Sequence, residues 1–180
     1  MGDIDKALRV AYQENVLVFC AAGSEEVVAF PARTDSVISI SSTNARGDPS
    51  PFSPRPNPRS ASFATLGEQV QSSWPRNLTQ RGAARSKRFS GTSVATVIAA
   101  GIAATLLGYS SRDPARFNSD QYQRLRSRQG MGALLKKLSR ENGGFTYICP
   151  WTYLPREDAL DLHDPSTLLF LAMKRAITEI

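Results

Sequence analysis

Ser90-Gly91-Thr92-Ser93-Val94-Ala95-Thr96 runs straight into Val97-Ile98-Ala99-Ala100-Gly101-Ile102-Ala103-Ala104-Thr105-Leu106-Leu107, and the apolar stretch closes at Gly108. Small residues recur all the way round this segment, so a helix made from it has no polar face. Such a helix belongs at the centre of a core, packed closely against its neighbours, and Gly108 supplies a natural stop. The serine at its amino end matters chemically. The first turn of a helix presents backbone N–H groups with no intrahelical acceptor, and these, with the helix dipole, can stabilise an oxyanion forming beside a serine hydroxyl. Gly91 and Thr92 are small enough to let that hydroxyl face a cleft. The plainer alternative is that Ser93 or Thr92 merely caps a buried helix.

Working outward, Val16-Leu17-Val18-Phe19-Cys20-Ala21 is a continuous apolar run too short for a helix, which suits a strand covered on both faces. It ends at Ala22-Gly23-Ser24. Before it, Ile4, Ala7, Leu8, Ala11 and Tyr12 fall at helical spacing behind Asp3 and Asp5. After it, Phe30-Pro31-Ala32 leads to a second buried strand, Val37-Ile38-Ser39-Ile40-Ser41. Helix, strand, connection, strand predicts an α/β sheet. Pro49, Pro51, Pro54, Pro56 and Pro58 exclude a regular element between Asp48 and Pro58, so a surface excursion is expected there. Ser62 to Thr65 and Gln69 to Trp74 are short strand candidates closed by Gly67 and Pro75, and Arg76 to Arg88 reads as a loop.

Beyond Asp113-Pro114 the character changes. A basic amphipathic segment runs from Asp120 to Glu141, Gly143-Gly144 breaks it, and the aromatic stretch Phe145-Thr146-Tyr147-Ile148 precedes Trp151 and Tyr153. A last helix from Pro165 to Ile180 follows Asp164 as cap. We divide the chain at residue 109, with residues 110–180 a basic, partly helical appendage.

Composition excludes several classes. With 41% hydrophobic and 21% charged residues the chain reads as globular rather than disordered or fibrous. Ser93 to Leu107 is too short for a bilayer span, so no membrane partner is expected. The amino terminus has no basic region followed by an apolar block, and Cys20 and Cys149 lie far apart in sequence, which together favour a cytosolic, reducing location. The Asn77-Leu78-Thr79 sequon then carries no meaning. A net charge of +6, with arginines clustered from Arg76 to Arg88 and Arg112 to Arg140, raises nucleic acid as a partner. The second cluster is interleaved with Leu125, Leu134, Leu135 and Leu138, as on a helix with one solvated face, and this argues against it.

Gly91-Thr92-Ser93-Val94-Ala95 resembles the nucleophile motif of the subtilisin-like serine proteases, Gly-Thr-Ser-Met-Ala followed by a small-residue helix. Three further features fall in that family's order: the strand ending Ala21-Ala22-Gly23, then Phe30-Pro31-Ala32 leading into Val37-Ile38-Ser39-Ile40, then Phe63-Ala64-Thr65-Leu66-Gly67-Glu68-Gln69-Val70 ahead of the serine. The resemblance covers residues 3 to 109, and the tail from Gly143 to Trp151 is similar to intracellular fungal members. It implies part of a doubly wound, mainly parallel sheet around a central buried helix. It also implies peptide-bond hydrolysis through an acyl-enzyme on Ser93, with a histidine taking the proton and an aspartate orienting it; no cofactor and no metal ligand is assigned. Ala21, Ala22, Gly23, Gly91 and Thr92 are then expected to bind a peptide or protein substrate laid along the cleft as an added strand. Ala21 to Gly23 equally fit a close-packed strand end.

The sequence departs from the family twice. In the family the aspartate and histidine precede the serine, whereas the single histidine, His163, follows it. A lone histidine between Leu162 and Asp164 reads as a surface or capping residue. Asp3, Asp5, Asp35 and Asp48 precede Ser93, but none has the family's glycine-rich strand-end setting, so none is assigned. The expected partner is therefore the amino-terminal half of such a protease, carrying both groups. Secondly, Ser24 stands where the family places the asparagine whose amide donates to the oxyanion. Losing that donor in subtilisin costs about 10²–10³ in turnover, so a shorter serine at this position blunts chemistry without abolishing it, and Ser24 also reads as a simple turn residue. The alternatives to an endopeptidase are a non-catalytic relic or interaction module of the same family, and a basic nucleic-acid-associated protein.

Overall fold

The computed structural model describes residues 2–24, 26–56, 61–74, 86–112, 116–153 and 165–178, the last segment with side chains from 168 onward. Helix α1 (Asp3–Gln13) precedes strands β1 (Phe19–Ala21), β2 (Ile38–Thr43) and β3 (Ser62–Leu66). These pair in parallel, with Phe19 opposite Ile38 and Ile40 opposite Phe63. Strand β3 is joined on its other side, again in parallel, by β7 (Phe145–Ile148), and β6 (Ser139–Asn142) closes the sheet antiparallel to β7. The five-stranded sheet has the order β1-β2-β3-β7-β6. A separate two-stranded ribbon, β4 (Val70–Ser73) and β5 (Ser86–Phe89), stands just ahead of the serine motif.

Helix α2 (Thr92–Ser111) crosses the sheet at β1, β2 and β3. Its inner stripe, Ala95, Ala99, Ala103 and Leu106, lies against Ile38, Ile40 and Phe63 in one buried cluster. Alanines at that spacing let the helix sit close to the strands, which is what the small-residue sequence is for. Two readings of this segment change. The helix continues past Gly108, where Ser110 and Ser111 donate to the Leu107 and Gly108 carbonyls; one glycine costs a helix only about 1 kcal/mol. Nor is it buried all round. Ser93, Val97, Gly101, Ala104 and Gly108, one helical face, are exposed. At 20 residues α2 is long and apolar enough to span a bilayer by length and composition alone; its inner stripe is committed to the sheet.

The basic segment after residue 116 is two helices, α3 (Ser119–Arg126) and α4 (Arg128–Lys137). Asn118 and Gln121 form a reciprocal capping box on α3, and Ser127, with extended backbone, ends α3 and caps α4 by accepting from the Gly130 N–H. Gly130 is required: a Cβ there would lie 1.9 Å from the Arg124 carbonyl oxygen. A short 3-10 turn, Pro150–Tyr153, and helix α5 (Pro165–Thr178) complete the chain. Leu125, Met131, Leu134, Leu135, Leu138 and Met173 are fully buried in the same cluster as Ile38 and Ala95. Strand β7 lies in the main sheet, and α3, α4 and α5 contribute side chains to the same buried cluster as β2 and α2. The aromatic run Phe145–Ile148, read from sequence only as part of the appendage, is a strand of the main sheet beside β3.

Candidate active site

The site is built where β1 ends and α2 begins. Gly91 donates its N–H to the Gly67 carbonyl at 2.8 Å, and its own carbonyl accepts from Val94 and Ala95 to start the helix. Gly67 is fixed by sterics: a Cβ would meet Ser42 Oγ at 2.4 Å, the Gly91 oxygen at 2.8 Å and Ala95 Cβ at 3.0 Å. The connection after β3 can touch the mouth of the helix only as glycine.

Thr92 is 7% exposed and binds Gly23 in both directions: its hydroxyl donates to the Gly23 carbonyl at 3.1 Å and accepts from the Gly23 N–H at 3.3 Å. The strand end Ala21-Ala22-Gly23 is thereby stapled to the first turn of α2. Gly23 itself has φ of +101°, a conformation suited to glycine, and the Ala22 carbonyl accepts from the Ala29 N–H. Neither side chain caps α2, whose N-cap is Gly91 with no side-chain hydrogen bond: Thr92 turns inward onto Gly23, and Ser93 is left outside. Ser93 is exposed, on the outer face of α2, with its N–H in the first helical turn.

A cleft of about 380 Å³ is lined by Gly23, Ser24, Phe52, Ser90, Gly91, Thr92 and Ser93. The structure thus brings five of the expected residues together: Ser93, Ser24, Gly23, Gly91 and Thr92. Ala21 and Ala22 do not line this cleft; Ala22 is fully buried beside Val28 and Ala32, and Ala21 is half-buried in the strand. A second depression of about 570 Å³ shares Ser24 and Phe52 and continues to Glu26, Val27, Pro54 and Arg55. His163 and Asp164 lie outside the described residues, as do Arg76 to Arg85 and the Asn77 sequon. Asp3 pairs with Lys6 on the surface, and Asp48 serves a loop described below. Among the described residues no three His, Cys, Asp or Glu side chains gather as metal ligands.

Phe52 and Ser90 were not singled out from sequence. Phe52 sits in the proline-rich stretch, which is folded back on β2 rather than left as a plain excursion: Ser53 Oγ accepts from the Ser42 N–H at 2.6 Å, and the Ser42 and Ser50 hydroxyls bond at 2.8 Å. The signal for this was in β2. Ser42 is buried, and a buried hydroxyl needs a partner, which Ser50 among the prolines supplies. Ser90 accepts from the Gln69 N–H at 3.0 Å and ties the ribbon to the cleft rim.

Farther out, the turn after β2 is held by Asp48. Hydrogen bonds from Asn44, then from Asn142 and Arg46, hold its carboxyl below the usual carboxylate range against some desolvation. Asn142 also donates to the Gly47 carbonyl at 2.8 Å, which fastens this turn to the β6–β7 hairpin.

A parallel sheet, a central small-residue helix and an exposed serine at that helix's amino end describe a subtilisin-like α/β fold. The family model for the subtilases, Peptidase_S8, matches residues 2–132, and the chain belongs to that family of serine proteases. A search of curated proteins found no match. Among solved structures the chain is similar to the prenylagaramide maturation protease PagA (TM-score 0.63, 23% identity), covering 97% of this chain and 55% of that one. It is similar also to the S218A mutant of the PatA protease domain (0.66, 22%, 97% and 54%) and to the patellamide maturation protease PatG (0.58, 17%, 97% and 48%). The chain therefore spans about half the length of the solved proteases it matches.

Proposed function

We propose that this chain contributes the nucleophile side of a serine endopeptidase site, with Ser93 attacking the peptide carbonyl to give an acyl-enzyme. The observation that carries the reading is the placement of Ser93: exposed in a cleft, at the amino end of a 20-residue helix whose opposite face is locked onto the sheet. The Ser93 N–H would meet the developing oxyanion, assisted by the dipole of α2, while Ser24, on the same cleft, is the second donor. In the reaction Ser93 Oγ bonds to the carbonyl carbon, its proton passes to an imidazole and then to the leaving amine, and water releases the acyl group by the reverse sequence.

The imidazole and its orienting carboxylate come, in this proposal, from a separate or additional polypeptide segment of the same family's domain. The support is that the single histidine of the sequence follows the serine and that the chain matches only about half of each solved relative. By itself the chain has negligible peptidase activity, because an unassisted serine hydroxyl is a weak nucleophile.

The test is peptide hydrolysis by the chain co-expressed with an Asp- and His-bearing segment of the subtilase domain. Cleavage that disappears in Ser93→Ala supports the reading. Cleavage undiminished by that substitution, or none from the assembled pair, overturns it and leaves a non-catalytic family member.

A further inference from the structure

A cavity of about 510 Å³ opens where β3 and β7 separate. The two strands pair at Ala64 and Tyr147, and Ser62 and Thr146, which precede that pair, form one wall with Ala61 and Gly144. The facing wall is one face of α4, where Arg128, Gln129, Gly132, Ala133 and Lys136 fall at i, i+1, i+4, i+5 and i+8. The strands β1, β2 and β3 run parallel, so this cavity, at the start of β3, lies at the opposite end of the sheet from Gly23 and the serine cleft.

Among the described residues the lining holds two cations, Arg128 and Lys136, and no carboxylate. Glu141 accepts from the Thr146 hydroxyl at 2.8 Å but stands outside the lining. Arg128 is half-buried, and its Nε donates to the Val37 carbonyl at 3.0 Å. That is its one hydrogen bond among the described residues, and the exposed Lys136 has none. A guanidinium held by one nitrogen keeps its remaining N–H groups for another acceptor. Helix electrostatics account for Lys136, a cation in the last turn of α4, but not for Arg128, a cation in the first turn where the dipole opposes it. A neighbouring cavity of about 560 Å³ that also reaches Arg128 sets Arg9 and Arg128 against Asp5 and Asp35, so its charge is balanced; the cavity under β3 is the one left positive.

Between the two cations the trough is shallow-walled and small. Gly132 and Ala133 lie on α4, Gly144 with φ of +81° lies opposite, and a Cβ at Gly132 or Gly144 would meet nothing within 4 Å. A ligand backbone can therefore approach closely. Arg128 and Lys136, eight residues apart, are separated by about 12 Å along the helix axis. In an extended peptide, side chains four residues apart share a face and are separated by about 13 Å. We infer that this cavity binds an extended acidic peptide segment, with one carboxylate on Arg128, a second four residues away on Lys136, and small residues between them over Gly132 and Ala133. The inference does not rest on the proposed function, since no residue of the serine cleft takes part. Nucleic acid fits the cavity less well. Single-stranded bases bind on exposed aromatic faces, and Phe63, the one aromatic residue in the described lining, is only 6% exposed.

The experiment titrates the full chain into dye-labelled peptides and reads fluorescence anisotropy. The first peptide carries Glu-Ser-Ala-Ser-Glu, the second has glutamine in place of both glutamates, and the third carries Glu-Ser-Glu-Ser-Ala. The first is expected to bind about tenfold or more tightly than either of the others, because only it presents a carboxylate to each cation. Lys136→Glu is expected to weaken that binding about tenfold by reversing one charge. Gly132→Leu, which fills the trough and leaves both cations in place, is expected to remove it. Both variants should keep the helical circular dichroism of the wild type, since Lys136 is exposed and position 132 faces open space. Arg175→Glu makes the same change in net charge at an exposed position of α5 outside the cavity, and should bind as the wild type does. Absence of binding by the first peptide, equal binding of the second or third, undiminished binding by Lys136→Glu or Gly132→Leu, or an equal loss in Arg175→Glu each overturns the inference. Tighter binding of an oligothymidylate than of the first peptide overturns it in favour of nucleic acid.

Discussion

Thr92 and Ser93 are neighbours with opposite assignments, and the difference lies in one helical step. Thr92 turns inward and makes both hydrogen bonds to Gly23, while Ser93 turns outward to the cleft. Thr92→Val strands a donor and an acceptor on Gly23, so we expect a loss of about 1–3 kcal/mol in urea unfolding, with Thr92→Ser largely restoring it. Ser24→Asn lengthens the reach of the second oxyanion donor. In the assembled enzyme it is expected to raise kcat by on the order of tenfold or more with little change in KM, measured on one peptide substrate. Asp48 gives a pH test. Its folded pKa lies below the unfolded carboxylate value, so its contribution to stability is present above the unfolded value, about 4, and is lost as pH falls through the lower folded one. Asp48→Asn should therefore flatten the loss of stability below about pH 4 in denaturant titrations. At this scale the place of Ser93 at the mouth of a helix was legible, because a long run of small residues follows it directly. Phe52 was not, since its position depends on hydrogen bonds between serines that face one another only after the chain has folded.

Among the elements, α2 shows what a small-residue helix accomplishes and where it stops. Gly67 and Gly101 make a paired test of that packing. Gly67→Ala places a methyl group 2.4 Å from Ser42 Oγ and against the Gly91 carbonyl, and is expected to destabilise by about 1–3 kcal/mol or more through forced displacement of the helix mouth. Gly101→Ala has open space and a better helix former, and should stabilise by about 0.5–1 kcal/mol. Thermal unfolding of the two variants is expected to move in opposite directions. The strands after Phe19 and Val37 were read from continuous apolar or β-branched runs. The split of the basic segment at Ser127 was hidden, because amphipathic spacing continues through it and only the cap's extended backbone marks the break.

For the molecule as a whole, the parallel order β1-β2-β3-β7 is the α/β reading made concrete. The pairing of β7 with β3 escaped sequence reasoning because nothing in a short aromatic run names a partner 83 residues away, as Ala64 is from Tyr147. It makes the carboxyl-terminal helices part of one core with the serine motif. The same view leaves β1 an edge strand of a parallel sheet beside the exposed face of α2, from which we expect the isolated chain to lose structure on mild heating. The central claim is that Ser93 becomes a nucleophile once an aspartate and a histidine of the same domain are supplied. It is tested most directly by treating the chain, alone and assembled with its Asp- and His-bearing segment, with a fluorophosphonate and locating the adduct by peptide mass spectrometry. The account predicts a stoichiometric adduct on Ser93 in the assembly and little on the chain alone; an assembly that stays unmodified at Ser93, or is modified at another serine, contradicts it.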